Sequence, residues 1–311
     1  MTGRILVLGA AGRFGHAAAE AFRSADWTVV SLLRPGTGAR APRGTQLVEA
    51  NALDRPAVAA AARNADVVLH ALNPPYTDWA RLALPLAYVA IDAAEAAGAT
   101  LLFPGNVYNY GAGMPALIDE ATPMQPTSRK GRLRLMTEER LREASERGMR
   151  TIILRAGDFF GGGRGSWLDL VIAKEVGRGV VTYPGPLDVE HEWAYLPDLV
   201  AALVRLAAVR DGLGRFETFG FSGHAVTGRE FVRAIEKAMR RDLKVKLMSW
   251  WLIHALRAIV PISRELSEMA YLWNVPHRIA GDKLKAAIGD IPHTGLDVAV
   301  ARALRDLDAI A

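Results

Sequence analysis

Residues 4–15 read RILVLGAAGRFG: five residues rich in branched apolar side chains, then glycines at 9, 12 and 15, running straight into the alanine-rich stretch HAAAEAFRS at 16–24. A short unbroken apolar run marks a strand buried on both faces, and the alanine-rich stretch has the composition of a helix opening directly on the turn. In that context each glycine has its own task. Gly9 permits the tight turn, Gly12 lets the backbone approach a pyrophosphate, and Gly15 lets helix and strand pack closely. The free N–H groups at the helix amino end would face the anion. The stretch predicts a dinucleotide site bound by Gly9, Gly12, Arg13, Phe14 and Gly15.

Outward from this turn the same alternation repeats. Candidate strands lie at 4–8, 28–33, 46–49, 66–70, 100–103 and 151–154, with helices at 14–23, 56–64, 78–97 and 132–147. Thr77 and Asp78 are capping candidates for the third helix, and Pro85 is expected to bend it or shift its start. The loop Gly161-Gly162-Gly163-Arg164-Gly165, followed by Ser166 as a helix cap, marks the first crossing out of the sheet domain. Residues 193–208 return to strand-then-helix character, 215–219 read as one more sheet strand, and beyond Thr227 the chain is mainly helical, with Phe231, Ile235 and Met239 on one face. The predicted class is α/β: a doubly wound parallel Rossmann sheet with a smaller, mainly helical carboxy-terminal substrate-binding cap. Residues 1–160 and about 190–220 are assigned to the nucleotide-binding domain, about 161–189 and 221–311 to the cap.

Composition narrows the function. With 311 residues, half of them apolar and 23% charged, the chain can bury one large core plus an appended region. It has no cysteine, which excludes a disulfide framework and a thiolate metal site and leaves the cytoplasm as the default location. His16, His70, His191, His224, His254, His277 and His293 are dispersed without ligand spacing, so no metal is predicted. No Gly-x-Ser-x-Gly elbow points to a hydrolase. The net charge of +5 is carried by basic residues interleaved with acids, as at 138–146, so no nucleic-acid partner is expected. The first apolar run is too short for a signal-peptide core. The longest candidate membrane segment, Trp250 to Val260, contains His254 and Arg257 and falls short of the ~20 apolar residues a span needs, so no membrane partner is expected either. Trp250, Trp251, Leu252, Leu256 and Ile259 fit a roof over a hydrophobic pocket or, more commonly, an amphipathic core face. The expected partner is a small-molecule substrate, and a homodimer is compatible with the sequence.

The second strand ends Ser31-Leu32-Leu33-Arg34, with Arg34 nineteen residues after Gly15 and no local carboxylate. An acid here would accept from the adenosine ribose hydroxyl, whereas arginine pairs with a 2′-phosphate. Arg34, with Arg13 as a second cation, favours NADP(H) over NAD(H). The alternative is solvated surface charge.

Taken together these residues resemble the extended short-chain dehydrogenase/reductase superfamily, which includes nucleotide-sugar epimerases and dehydratases. The resemblance is carried by the glycine spacing, by Asn51-Ala52-Leu53-Asp54 at the adenine-side motif, His70-Ala71-Leu72 after the fourth strand, Val107-Tyr108 after the fifth, Arg155-Ala156-Gly157-Asp158 after the sixth, and Trp193-Ala194-Tyr195-Leu196-Pro197-Asp198. It implies that Asn51, Ala52, Ala71 and Leu72 line the cofactor. The family's Ser/Thr, Tyr and Lys are replaced by Pro104, Lys130 and Arg134. Isoflavone-reductase-like relatives are thought to use a lysine as proton donor or base. By that likeness Lys130, in a partly desolvated pocket, is the catalytic candidate, with Arg134 one turn on to hold a substrate carboxylate or phosphate. Tyr108 and Tyr110 are alternative acids. The competing reading makes Arg129, Lys130, Arg132 and Arg134 a solvated helix start. The function expected is hydride transfer by an atypical NAD(P)-dependent oxidoreductase. A nucleotide-sugar epimerase or dehydratase is one alternative, and a non-catalytic NADP(H)-sensing protein is another.

Overall fold

A computed structural model describes residues 2–310. Its first half alternates as the apolar runs dictate: β1 (Arg4–Leu8), α1 (Arg13–Ser24), β2 (Thr28–Leu33), β3 (Gln46–Glu49), α2 (Arg55–Ala62), β4 (Val67–His70), α3 (Trp79–Ala97) and β5 (Thr100–Gly105). The short β6 (Leu117–Ile118) precedes α4 (Arg129–Glu146), β7 (Arg150–Arg155) and β8 (Asp158–Phe160). Then come β9 (Val180–Tyr183), β10 (Glu190–Tyr195), α5 (Leu196–Val209), β11 (Phe216–Gly220), β12 (His224–Thr227), α6 (Gly228–Met239) and β13 (Lys244–Leu247). The chain closes with α7 (Trp250–Leu256), α8 (Pro261–Ser267), β14 (Arg278–Ile279), α9 (Asp282–Ile288) and α10 (Leu296–Arg305).

Seven strands form one sheet in the order β11-β7-β5-β4-β1-β2-β3, every neighbour parallel. The order reverses between β1 and β4, where such sheets leave a crevice at the carboxyl ends of their strands. Ala18 and Phe22 of α1, Leu203 and Leu206 of α5 and Leu284 of α9 pack on one face. Val58 of α2, Ala90 of α3 and Leu141 of α4 pack on the other. This is the doubly wound α/β sheet expected.

Several details differ. The helix α4 starts at Arg129 rather than 132, because the Ser128 hydroxyl accepts from Gly131 N at 3.0 Å and caps it. The helix α3 runs through Pro85 uninterrupted, and Asp78 does not cap it; its carboxylate receives Arg81 at 2.9 Å. Ser166 donates to Asp169 from its backbone N and hydroxyl, at 2.6 and 2.8 Å, instead of accepting as a cap. The strand expected at 193 is β10, which lies outside the main sheet, parallel to β8 and antiparallel to β12. The parallel pairs β9–β13 and β6–β14 add strands to a region read as mainly helical. Within the stretch assigned to the cap, α9 packs on the sheet layers through the fully buried Leu284.

A separate apolar cluster joins Phe160, Trp193, Phe231, Ile235, Val300 and Leu304. The segment carrying α8 meets the sheet domain through apolar contacts of Met269 and Leu272 with Trp79, Val107 and Tyr108, and through a buried ionic network. Lys130 and Glu265 have fully buried side chains in direct ion contact, and the ammonium also reaches Glu268 at 3.3 Å. Arg129 reaches the other oxygen of Glu265 at 2.5 Å. Burial pushes the Glu265 carboxyl up, but hydrogen bonds from Lys130 and Arg129 outweigh it and hold the group below the usual carboxylate range.

Removing one partner of a buried pair costs about 3–5 kcal/mol. Because Arg129 remains, Lys130→Met is expected to lose about 3 kcal/mol of unfolding free energy, the lower end of that range. The urea midpoint should fall with the m-value unchanged. The pair's contribution is present above the unfolded carboxylate pKa and is lost as pH falls through the lower folded value, so the gap between wild type and variant should close in acid. A loss of under about 1 kcal/mol at neutral pH would mean the ammonium is not a strut.

Candidate functional site

The glycine turn has the shape its sequence requires. Gly9 sits at φ +89°, and a Cβ there would lie 3.0 Å from the Ala71 carbonyl oxygen. A Cβ at Gly15 would lie 2.3 Å from the Gly9 oxygen and 3.0 Å from Ala10 Cα, so helix and strand touch backbone to backbone. Gly12 is different. Its own φ of −80° suits any residue, it is exposed, and a Cβ would meet only the Gly9 oxygen at 3.3 Å. The space before it is an open cradle at the α1 amino end, where first-turn N–H groups have no intrahelical partner. That cradle fits a pyrophosphate. Ala71 and Leu72, just beyond β4, border Gly9, and Phe14 packs against Phe159 at 5.6 Å.

Arg13 corrects an expectation. Its guanidinium donates to the carbonyls of Gly161 at 2.8 Å and Phe159 at 3.2 Å, which turns it toward the second glycine loop and away from any 2′-phosphate. Burial lowers its pKa against the opposing charges of Asp169 and Asp158. Arg34 stands exposed past the end of β2, with no carboxylate in ion-pair range among the described residues. Arg40, which sequence reasoning did not single out, donates to the Ala11 carbonyl of the glycine loop at 3.2 Å. Asn51 is exposed, its side-chain oxygen accepting from Leu53 N at 3.0 Å, with the partly buried Ala52 beside it, while Asp54 caps α2 by accepting from Ala57 N at 3.1 Å.

Beyond the β4 and β5 carboxyl ends lies a small cavity of about 20 Å³, lined in part by His70, Leu72, Asn73, Trp79, Phe103 and Arg134. Arg134 is held between the Trp79 and Phe103 rings at 5.0 and 5.1 Å and donates to the Pro104 carbonyl at 3.4 Å. Its Nε is buried without a partner, and no carboxylate lies in ion-pair range among the described residues. The nearest candidate, Glu138, is engaged by Arg155 in a two-bond pair at 3.1 and 2.8 Å. Burial lowers the Arg134 pKa. His70, its Nε2 also buried and unpartnered, is pulled down to about 4 by burial and by the charge of Arg134, and is neutral.

Arg155 also donates to the Asn106 carbonyl at 2.7 Å, while Asn106 Oδ1 accepts from Tyr108 N at 3.1 Å, which fixes the loop after β5. The Tyr108 hydroxyl lies 3.0 Å from that of Tyr76. Burial raises both phenols, Tyr108 well above its ordinary value and Tyr76 to about 12, and the charge of Asp158 adds to each. Tyr110 lies instead under Arg155 at 5.2 Å. Lys130 stands 5.0 Å from the Tyr76 ring, but its ammonium turns to Glu265 and Glu268. It is neither a free proton donor nor part of a solvated helix start. Sequence reasoning also missed Tyr76 and the pair Asp158–His191, joined at 3.0 Å with the imidazole stacked on Trp273 at 4.4 Å. The pairing of β8 with β10 creates that contact, and no spacing rule signals it.

A glycine cradle at a helix amino end, on a parallel sheet and beside its reversal point, defines the class of Rossmann-type nucleotide-binding enzymes. Residues 5–219 match the NAD dependent epimerase/dehydratase family. A 3-diazoavenalumate denitrifying reductase from a Streptomyces species is 31% identical over 297 residues, covering 88% of this chain and 96% of that protein. Among solved structures, MoeE5 in complex with UDP-glucose and NAD is 20% identical with a TM-score of 0.77, covering 98% of each chain. The Bordetella bronchiseptica enzyme WbmH in complex with NAD+ is 17% identical with a TM-score of 0.75 at the same coverage of both chains, 98%. The UDP-Glc/GlcNAc 4-epimerase of Campylobacter jejuni is 18% identical with a TM-score of 0.74, again covering 98% of each. These structures share the fold. The chain belongs to the NAD-dependent epimerase/dehydratase family and is an enzyme of the extended short-chain dehydrogenase/reductase superfamily.

Two glycines with different surroundings should fail differently. Gly15→Ala places a methyl against backbone that cannot retreat, so it should cost about 1–3 kcal/mol or more in a urea titration. Gly12→Val should fold with near-native stability but lose NADPH affinity at least about tenfold by fluorescence titration, because its side chain occupies the cradle. Equal stability losses in both would remove the distinction.

Proposed function

We propose that this enzyme is an NADP(H)-dependent reductase of a small anionic substrate, and that it works without the superfamily's Ser/Tyr/Lys set. The observation that carries the reading is the pocket: a buried guanidinium with no carboxylate stands one turn from a lysine already neutralised by glutamates. Oxidation of a substrate hydroxyl, which an epimerase or dehydratase cycle needs, calls for a base. Pro104, Lys130 and Arg134 offer none. The relative named as a reductase supports the same direction.

Bound NADPH supplies the hydride. The rest falls to the chain. Arg34 and Arg40 hold the 2′-phosphate, Asn51 and Ala52 border the adenosine, and Gly9, Gly12, Phe14, Gly15, Ala71 and Leu72 shape the floor beneath the cofactor. Arg134 anchors the substrate's negative group, for which burial without a partner prepares it. Tyr108, oriented by Tyr76, donates a proton to the atom that gains the electron pair. Burial raises its pKa, so the phenol is a weak acid that gives up its proton only to an acceptor made strongly basic by the arriving hydride. Residues 161–189 and 221–311, apart from α9, form the substrate side.

Arg34→Ala and Arg40→Ala should each weaken NADPH binding about tenfold or more and leave NADH nearly unchanged in calorimetry, since only the former carries the phosphate. A wild-type preference for NADH would overturn the cofactor assignment. Turnover is followed as loss of NADPH absorbance over a panel of enone, keto and diazo carboxylates. On any substrate found, Tyr108→Phe should lower kcat about a hundredfold or more with little change in KM, whereas Arg134→Ala should mainly raise KM. Tight NADPH binding with no oxidation across the panel would favour a cofactor sensor, and full turnover by Tyr108→Phe would remove that residue from the chemistry.

A further inference from the structure

Residues 243–264 read LKVKLMSWWLIHALRAIVPISR, with Lys244, Lys246, Arg257 and Arg264 and no Asp or Glu. Acid-free runs occur elsewhere, as at 27–48 with three arginines and at 121–137 with four cations, but here the cations accompany a cluster of six exposed apolar side chains. The structure places β13, α7 and the start of α8 here, and α7 contributes no buried residue at all. Trp251 is 73% exposed, Ile259 80% and Leu247 60%, and Leu252, Leu256 and Ile262 join them. These are six of the thirteen large apolar residues exposed among the described residues, gathered in one short stretch. The expectation of a core face is therefore overturned for Trp251, Leu252, Leu256 and Ile259, whereas the partly buried Trp250 packs on the cluster of Trp193 and Phe231. A pocket roof fails too, since none of the six lines the cavity beside Arg134.

The patch is held in place. Trp250 donates its indole N–H to the Pro184 carbonyl, Met248 N donates to Tyr183 O at 2.9 Å, and Glu265 and Glu268, at and just beyond α8, grip Arg129 and Lys130. Its cations are available. Lys244 and Arg257 have no carboxylate in ion-pair range among the described residues, while Lys246 meets Glu175 only at 3.9 Å and Arg264 meets Glu265 at 3.4 Å.

We propose that this basic, tryptophan-bearing hairpin docks on an anionic lipid bilayer surface, lying in the interface without crossing it. Apolar side chains flanked by lysine and arginine suit both layers such a surface offers, the acyl boundary and the headgroup phosphates. A second copy fits less well, because a twofold contact would set this carboxylate-free stretch against its own image and place like charges together. The absence among the described residues of a helix long and apolar enough to cross a membrane bears on spanning alone.

The test is co-sedimentation of the whole protein with vesicles of equimolar phosphatidylglycerol and phosphatidylcholine, against vesicles of phosphatidylcholine alone, at low and high salt. Wild type should sediment with the anionic vesicles only, be released by salt, and show a blue-shifted tryptophan emission when bound. The double variants Trp251→Ser/Ile259→Ser and Lys244→Glu/Arg257→Glu should each partition at least about tenfold less while keeping wild-type thermal unfolding and NADPH affinity. The proposal is overturned if wild type ignores anionic vesicles, or if both variants sediment as wild type does. It is equally overturned if sedimentation velocity shows a dimer that Trp251→Ser/Ile259→Ser dissociates while vesicle binding is absent, which would give the face to a second copy.

Discussion

The ammonium of Lys130, closed between Glu265 and Glu268, is the buried ionic contact between the start of α4 and the segment that covers it, beside the apolar cluster of Met269 and Leu272 with Trp79 and Tyr108. Two carboxylates from the region of α8 meet one helix start on α4, and both side chains of the inner pair are wholly buried. Such a pair stabilises little compared with apolar packing, but it is expensive to leave half-made, so it selects one docking geometry over its neighbours. That geometry sets the Lys130 ammonium 5.0 Å from the Tyr76 ring, and Tyr76 in turn meets Tyr108. Lys130, expected from the sequence as a proton donor, is instead a strut beside the two tyrosines.

One turn along the same helix the balance is opposite. Arg134 is as deeply held as Lys130, yet it has aromatic faces and a weak carbonyl contact where Lys130 has two anions. Its surroundings are neutral: His70 is kept uncharged by burial and by Arg134 itself, and both phenols are kept protonated. Glu138 is claimed by Arg155 and Asp158 by His191. A cation in a low-dielectric pocket with every nearby anion already paired is a standing cost to the folded chain, and an anionic ligand is what removes it.

How much of this was legible depends on the range of each interaction. The bounds of β1 and β2 could be read to the residue, because a parallel strand buried by helices leaves a continuous apolar run. The glycine cradle was legible for the same reason: turn, approach and packing all involve residues within one βα unit. The start of α4 was missed because Ser128 caps it ahead of a run of cations that reads as solvated. The placement of β10 outside the main sheet could not be read, since a local sequence announces a strand and not its partner. At the site, Lys130 and Glu265 lie 135 residues apart, and Arg13 and Gly161 148 apart. Residue type and spacing said that these groups were charged and close to the cofactor loop or the α4 start. Only the fold says which anion or carbonyl each one meets, and that decides whether it is a ligand or a strut.

The segment around α7 shows the same limit from the apolar side. A periodic or dense apolar stretch states that a surface is costly in water; it does not state what relieves the cost. In an α/β enzyme the ordinary relief is the protein's own core, and that was the expectation for Trp251, Leu252, Leu256 and Ile259. Those side chains face outward because the neighbouring helices are already committed: α10 and α6 pack on one another over Val300, Phe231 and Ile235, and α8 is turned to α4 by its glutamates. The charge pattern then separates the two kinds of external relief, because a stretch that keeps four cations and excludes every carboxylate is ill suited to its own image and well suited to a surface of phosphates.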